Sequence, residues 1–322
     1  MIQAATRERE RQALWPFMGR RRPPGATPAT DGPDPYGDPD PEWLKIDWRQ
    51  HLKQIEVADA RVNYCEMGEG GTPIVFAHGL AGCWQNWLEN IPHFARHHRV
   101  IALDLPGFGA SPMPPWEISI ANYGKLLDAF CRELNVHACA LVGNSMGGFI
   151  AAEAAIAQPE WVDRLVLVSA AGISSARVRR EPAEAMARML AATAPLAFRL
   201  REVGMRRWRL RYAMFRNLFH WPHRLRPELL WEFSHGAMDA PAFLPALGTL
   251  IGYDFHDRLE RVLVPTLILW GRDDRVIPSA DALEYERHLS DSRLVVFDRT
   301  GHVPMAERPV RFNRLLDEFL AE

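Results

Sequence analysis

The stretch LVGNSMGG, residues 141–148, decides the fold, because it places a serine between glycines where an apolar strand gives way to an alanine-rich helix. The glycines let strand and helix approach closely, and the tight turn holds Ser145 in a strained backbone conformation at the carboxyl edge of a sheet. The helix that starts at Met146 directs its free N–H groups and positive dipole end toward any anion formed there. Ser145 is therefore the candidate nucleophile.

Apolar runs on both sides of this turn predict a doubly wound α/β fold. They are nearly continuous in Val, Ile, Leu and Ala, as is typical of strands buried on both faces of a parallel sheet. The later runs begin at Pro73, Arg99, Ala138, Arg164, Pro265 and Arg293. Between them we expect helices at Trp84–Arg96, Ser119–Leu134, Met146–Ala157, Ser279–Leu289 and Val310–Leu320. Alternation of this kind indicates crossover connections and a mostly parallel sheet.

The chain divides into three predicted regions. Residues 1–40 are rich in Pro, Gly, Arg and Asp without a hydrophobic period, so we expect a linker or a disordered tail. The α/β core occupies 41–173 and 258–322. Residues 174–257 lack strand-like runs and read as several helices interrupted by prolines, which predicts a helical cap inserted between two strands.

Composition excludes several classes of protein. The 322 residues carry 38 Lys and Arg against 40 Asp and Glu, a near-balance that argues against a protein built to coat nucleic acid or an anionic membrane. Apolar runs fall well short of the roughly 18 residues that a membrane span needs. The N-terminus has mixed charges and an apolar run interrupted by Pro16, unlike a signal peptide. Four cysteines without CxxC or metal-type spacing predict reduced thiols, a cytoplasmic location, and neither a disulfide nor zinc.

A serine hydroxyl needs a base to take its proton and a third group to orient that base. Acids follow the strand-like run PTLILWG, in GRDDRVIP, where Asp273 and Asp274 are both candidates. A histidine, His302, follows the next strand-like run. The order Ser, Asp, His, each on a loop just past the carboxyl end of a strand, predicts a catalytic triad.

The oxyanion formed on attack needs two backbone N–H donors. One is expected from the residue after the nucleophile, Met146. The other is expected from the loop HGLAG after an early strand, with Leu80 as donor. For His78, which begins this loop, we predict a structural role because the triad already contains a histidine.

Five motifs, HGLAG, DLPGFGAS, LVGNSMGG, WGRDDRVIP and GHVPMAERP, occur in the order found in the α/β-hydrolase superfamily, which the chain resembles from about Leu52 to Glu322. The resemblance is to the branch with a helical cap after the sixth strand, and it implies an eight-stranded, mostly parallel sheet. It assigns the triad acid to Asp274, which stands four residues before the proline of its loop. It implies neither a metal nor an organic cofactor, and no catalytic role for DLPGFGAS.

The resemblance also bears on the reaction. Haloalkane dehalogenases and epoxide hydrolases of the superfamily use an aspartate nucleophile, so Ser145 argues against both. Asn144 before the serine is similar to hydrolases that cleave carbon–carbon bonds in ring-fission products, but those enzymes usually have tryptophan after the catalytic histidine, where this chain has Val303. The ending GHVPMAERP resembles esterases and monoacylglycerol lipases. Carboxylic ester hydrolysis is the first expectation; carbon–carbon cleavage and a ligand-binding protein with residual turnover are the alternatives.

The predicted cap is strongly basic, with thirteen arginines and five acids between Ser174 and Phe233. An apolar stripe runs through it at helical spacing, formed by Met205, Trp208, Tyr212, Phe215 and Phe219. Three interpretations stay open. In the first, the stripe packs on the sheet or lines a pocket while the arginines face water. In the second, the cap lies on an anionic membrane. In the third, the arginines bind an anionic substrate.

Overall fold

The computed structural model describes residues 34–177, 203–235 and 240–322. One sheet contains eight strands, in the order β1-β2-β4-β3-β5-β6-β7-β8. β1 pairs antiparallel with β2 and β2 antiparallel with β4, and every other pairing is parallel. The predicted α/β fold with a mostly parallel eight-stranded sheet is confirmed. The strands are β1 Leu52–Val57, β2 Ala60–Met67, β3 Ile74–Ala77, β4 Val100–Leu103, β5 Cys139–Asn144, β6 Val162–Val168, β7 Thr266–Gly271 and β8 Ser292–Phe297.

Helices cover both faces of the sheet. Alternate residues of one strand enter different cores. Val75 and Ala77 of β3 join the cluster that contains the helices Ile120–Glu133 and Met146–Ala157, whereas Ile74 and Phe76 join the cluster that contains the helix Pro309–Leu320. The α-helices are α1 Ile91–Phe94, α2 Ile120–Glu133, α3 Met146–Ala157, α4 Trp208–Phe215, α5 Pro227–Phe233, α6 Phe243–Leu250, α7 His256–Leu259, α8 Ala280–His288, α9 Pro304–Glu307 and α10 Pro309–Leu320.

The helix expected at Trp84–Arg96 is broken into two short pieces. A 3₁₀ turn spans Trp84–Trp87, and α1 follows with Pro92 at its start. Proline lacks the N–H that would continue a helix from the preceding turn, so the two pieces cannot merge.

The end of the predicted N-terminal tail packs against the core. Tyr36 is buried, and its hydroxyl donates a 2.5 Å hydrogen bond to Glu307 Oε2. Trp43 and Trp48 follow in the same apolar cluster. Residues 34–40, the end of the segment predicted as a linker or a disordered tail, thus contact the core through one aromatic ring that has a buried polar partner. Residues 1–33 lie outside the described residues.

Between β6 and β7 all secondary structure of the described residues is helical, from the 3₁₀ turn Ser174–Arg177 to α7. The function of this region as a cap stays a prediction. Among the described residues, no helix has the length and apolar character needed to cross a membrane.

The apolar stripe predicted in this region is only partly buried. Met205, Phe215 and Phe219 are buried in the core, but Trp208 is 54% exposed. Arg211, expected to face water, is 1% exposed and donates a 3.1 Å hydrogen bond to the Met205 carbonyl. Because α4 begins only at Trp208, the Trp208 side chain lies at the N-terminal end of the helix. Arg211, one turn later, occupies the inward face.

Candidate active site

Ser145 stands at the turn between β5 and α3 in a conformation that few residues adopt. Its φ of 55° and ψ of −117° lie outside the ordinary regions for an L-amino acid. A side chain at Gly147 would lie only 2.3 Å from the Ala77 carbonyl oxygen, so glycine lets the helix start directly against the end of β3. The strained turn predicted from the sequence is therefore present, and it is fixed by packing on both sides.

Asp274 and His302 are hydrogen-bonded to each other. The Asp274 Oδ2 atom lies 2.8 Å from His302 Nδ1, and the two side chains are 0% and 4% exposed. The other carboxylate oxygen, Oδ1, accepts from the backbone N–H groups of Val276 at 2.8 Å and Ile277 at 2.9 Å. These bonds fix the carboxylate, so that it accepts a hydrogen bond from the Nδ1–H group and leaves Nε2 of His302 for an acceptor role.

Hydrogen bonds to backbone carbonyl groups join the histidine loop to the serine turn. The Asn144 side-chain amide donates to the carbonyls of Val168 at 3.0 Å and of His302 at 3.3 Å. The His302 N–H in turn donates to the Leu218 carbonyl at 2.8 Å. The structure thus brings the loops that carry Ser145, Asp274 and His302 to the carboxyl ends of β5, β7 and β8.

Asp273, the competing acid, points elsewhere. Its Oδ2 atom lies 3.4 Å from His220 Nδ1 in a partly exposed pair. The bond between Asp274 and His302 therefore agrees with the assignment that the family resemblance gave.

The two predicted oxyanion donors lie beside Ser145. A side chain at Gly79 would meet Ser145 Cβ at 2.9 Å, so the loop that carries Leu80 runs directly against the serine. Met146 is the first residue of α3. Within the described chain, neither the Leu80 nor the Met146 N–H has a hydrogen-bond acceptor. Both donors thus remain available for an oxygen of a bound substrate.

His78 is built into the loop rather than presented to a substrate. Its Nδ1 lies 2.7 Å from the Gly79 carbonyl, and its Nε2 accepts from the Leu105 N–H at 2.9 Å. Complete burial lowers the pKa of His78 to about 4, so the ring is neutral at pH 7. This geometry agrees with the structural role expected from the sequence.

One buried acid beneath the site was missed in the sequence. Glu307, in α9, accepts from the Gly301 N–H at 2.8 Å, from the His220 N–H at 2.8 Å and from the Tyr36 hydroxyl. It thereby ties the histidine loop to the region between β6 and β7 and to residues 34–40. The signal was a glutamate five residues after His302 in GHVPMAERP, within an otherwise apolar turn.

Titration of Glu307 makes a testable contribution to stability. Burial raises the pKa of Glu307 from 4.5 to about 8, against the effect of its hydrogen-bond donors. Between these values the folded protein keeps a proton that the unfolded chain releases, so the contribution to stability falls as pH rises. From pH 5 to pH 8 the loss is on the order of 3 kcal/mol.

We expect thermal unfolding to show this loss in the wild type and not in Glu307→Gln, which has no carboxyl to titrate. Between pH 5 and pH 8 the Tm of the wild type therefore falls relative to the Tm of the variant. Glu286→Gln, at an exposed position, is the matched control and lacks that shift. A difference in Tm between the wild type and Glu307→Gln that stays constant over this range contradicts the assignment.

The described residues contain no group of three or more His, Cys, Asp or Glu placed to hold a metal ion. The four cysteines are free and buried.

Comparison with known proteins places this geometry in a family. The family model described as alpha/beta hydrolase fold matches residues 72–309. A 2-hydroxymuconate semialdehyde hydrolase of Pseudomonas sp. strain CF600 is 32% identical, over 84% of this chain and 94% of its own length. A 2-hydroxy-6-oxo-6-phenylhexa-2,4-dienoate hydrolase of Comamonas testosteroni is 29% identical, over 84% and 95%. The crystal structure of an N-acyl homoserine lactone degrading enzyme superposes with a TM-score of 0.66 at 25% identity, over 83% of this chain and all of that one.

Proposed function

The chain belongs to the α/β-hydrolase fold family and is a hydrolase, and from that premise we propose that it cleaves a carbon–carbon bond in a 2-hydroxy-6-oxo-2,4-dienoate. The observation that carries this choice is a group of curated relatives named as hydrolases of 2-hydroxy-6-oxo-dienoates or of 2-hydroxymuconate semialdehyde, among them two that match 84% of the chain. Ester hydrolysis, the first expectation from the sequence, becomes the second candidate.

In this proposal Ser145 is the nucleophile, His302 its base and Asp274 the group that orients His302. The 2.8 Å bond from His302 Nδ1 to the carboxylate leaves Nε2 to take the proton of the Ser145 hydroxyl. The carboxylate also stabilises the imidazolium that forms, and its burial keeps water from weakening that interaction.

The substrate first tautomerises: the proton of its 2-hydroxyl group is transferred to C5, so that C2 becomes a ketone, C3–C4 keeps the double bond and C5 becomes saturated. Attack of Ser145 on the ketone carbon C6 of this keto tautomer then gives a tetrahedral oxyanion. The N–H groups of Leu80 and Met146 are the donors we assign to it, and the start of α3 adds a favourable dipole. Both donors are backbone groups fixed by packing, so they need no reorganisation when the charge develops.

Collapse of this intermediate breaks the C5–C6 bond and leaves an acyl group on Ser145. The electron pair that departs on C5 is delocalised along the conjugated chain to the 2-oxo group of the keto tautomer, and His302 returns its proton to the departing fragment. Water activated by His302 then releases the carboxylic acid from Ser145. No other group is needed to balance these steps.

Ester hydrolysis is the second candidate because one residue favours it. The position after the histidine holds Val303, buried at the start of α9, instead of the tryptophan usual in carbon–carbon hydrolases of this superfamily. The similarity to a lactone-degrading enzyme supports the same chemistry. In an ester the leaving group is an oxygen, but the attack, the oxyanion and the acyl-enzyme are the same.

Two substrates that give the same acyl-enzyme separate the candidates. 2-Hydroxy-6-oxo-6-phenylhexa-2,4-dienoate and p-nitrophenyl benzoate both leave benzoyl on Ser145, so their kcat/KM values differ only through binding and the leaving group. We expect the dienoate to be preferred by at least about tenfold, although the nitrophenolate is the better leaving group. Preference for the ester contradicts the proposal and favours the second candidate. Retained benzoyl after a single slow turnover favours the ligand-binding alternative.

A further inference from the structure

The stretch 203–216, between β6 and β7, exposes large apolar side chains and arginines together. Four of the eleven large apolar residues that are exposed in the described chain lie within these fourteen positions. We call this surface the basic face. Its apolar members are Val203, Trp208, Leu210 and Met214, and its charged members are Arg206, Arg207, Arg209 and Arg216, all exposed.

The apolar members are neighbours rather than isolated side chains. Leu210 and Met214 are one turn apart on the same side of α4. The Met214 sulfur lies against Gly204, where an added side chain would approach it within 2.5 Å, and Val203 is the next residue. The Arg209 guanidinium lies 5.4 Å from the Trp208 ring centroid at the start of the helix. The apolar strip therefore consists of Val203, Leu210 and Met214, and Trp208 with Arg209 lies on another side of α4, at its start.

Positive charge is concentrated in this stretch. The sequence from 203 to 227 contains seven arginines and no acid, and one glutamate stands at each end of it, Glu202 and Glu228. In the part of the chain that the structure describes, none of the four exposed arginines makes an ion pair. Closely spaced like charges favour an anionic partner.

We propose that the basic face docks on an anionic lipid bilayer. Guanidinium groups bind lipid phosphates, and the apolar strip enters the boundary between headgroups and acyl chains. A second copy of this chain seated on the same surface would bring eight arginines together, which disfavours it. A soluble anion would leave the apolar strip in water. A bilayer with anionic headgroups can bind the arginines and also remove the apolar strip from water.

The docking surface is joined to the active site through the backbone. Arg275, next to Asp274, donates a 2.8 Å hydrogen bond to the Arg216 carbonyl, and the Leu218 carbonyl accepts from the His302 N–H. The segment that ends the basic face thus rests on both loops that carry the acid and the histidine. Docking does not depend on which bond the enzyme cleaves.

Co-sedimentation of the full chain with vesicles tests the proposal without an activity assay. We expect binding to vesicles of phosphatidylcholine with 30% phosphatidylglycerol, and at least tenfold weaker binding to pure phosphatidylcholine. Each arginine near such a surface contributes about fivefold, so Arg206→Gln, Arg207→Gln and Arg209→Gln together reduce binding about 100-fold. Raising the salt concentration weakens the wild-type interaction.

Matched variants distinguish this surface from the general charge and apolar character of the protein. Replacement of the exposed Arg61, Arg287 and Arg314 by Gln removes the same charge elsewhere and is expected to leave binding within about threefold. Trp208→Ser is expected to weaken binding about tenfold, whereas Leu263→Ser, at a 75% exposed position outside the face, does not. Circular dichroism verifies that each variant is folded.

Four results overturn the proposal. The first two are equal binding to neutral and anionic vesicles and equal losses in the two triple variants. The third is a wild type that forms a dimer broken by Trp208→Ser but does not bind vesicles. The fourth is a stronger affinity for single-stranded DNA than for anionic vesicles, which favours a nucleic-acid surface.

Discussion

Ser145→Ala is expected to reduce turnover by about 10³-fold or more on every accepted substrate, with little change in unfolding temperature. The variant keeps the fold because the hydroxyl makes no structural hydrogen bond within the described chain, and alanine fits the same space. Without the nucleophile, only binding and the two N–H donors remain to accelerate the reaction. Steady-state kinetics and thermal unfolding measure the two effects separately.

His302→Ala is the companion variant for this prediction. The two residues act as one unit, so the double variant Ser145→Ala/His302→Ala is expected to be no slower than the slower single variant. Additive losses in the double variant, or a Ser145→Ala protein that keeps a tenth of wild-type turnover, contradict the assignment of Ser145.

Asp274→Asn is expected to lower kcat by about 10³-fold or more, while Asp273→Asn changes it by less than about fivefold. An amide at position 274 can donate to His302 Nδ1 and so stabilise the wrong tautomer, and it cannot balance the imidazolium. Among the described residues, the Asp273 carboxylate lies 3.4 Å from His220 Nδ1 in a partly exposed pair and makes no hydrogen bond or ion pair with His302. The two substitutions remove the same charge from adjacent residues, so each controls for the other.

Rescue by pH provides a second readout for Asp274. If this carboxylate supports the imidazolium, the loss in Asp274→Asn is smaller at high pH, where hydroxide can replace the base. The reverse ranking of the two variants moves the role of the acid to Asp273.

Much of the core could be predicted because its signals are local. A glycine-flanked serine between an apolar strand and a helix leaves little freedom for β5 and α3, and Asp274 and His302 follow strands that end at the same edge of the sheet. The choice between Asp273 and Asp274 needed the family pattern. Either side chain can reach the loop surface, and only the tertiary fold decides which one meets the histidine.

What the sequence did not reveal depends on contacts between distant segments. The burial of Tyr36 depends on Glu307, 271 positions away, and nothing in a proline-rich stretch indicates such a partner. The inward position of Arg211 depends on where α4 begins. The helix expected across Trp84–Arg96 is interrupted because Pro92 has no N–H group to continue the helical hydrogen bonds. This proline was visible in the sequence, but the prediction gave more weight to the hydrophobic pattern.

The reaction was the hardest part to predict, because the nucleophile, base and oxyanion donors are the same for esters and for ring-fission ketones. Val303 and the surrounding motif GHVPMAERP directed the sequence-based expectation toward esters. The identity of the leaving group depends on side chains around the substrate, and neither the triad nor its spacing encodes them. The proposal of carbon–carbon cleavage therefore rests on the names of relatives and not on the residues of the site.

Labelling with a fluorophosphonate tests most directly the central claim that Ser145 is a nucleophile activated by His302 and Asp274. Mass spectrometry of the digested wild type is expected to locate one phosphonyl group per chain on the peptide that contains Ser145. Ser145→Ala is expected to take up no label, and His302→Ala and Asp274→Asn to react at least about 100-fold more slowly. A label on another residue, or equal labelling rates in the wild type and His302→Ala, contradicts the account.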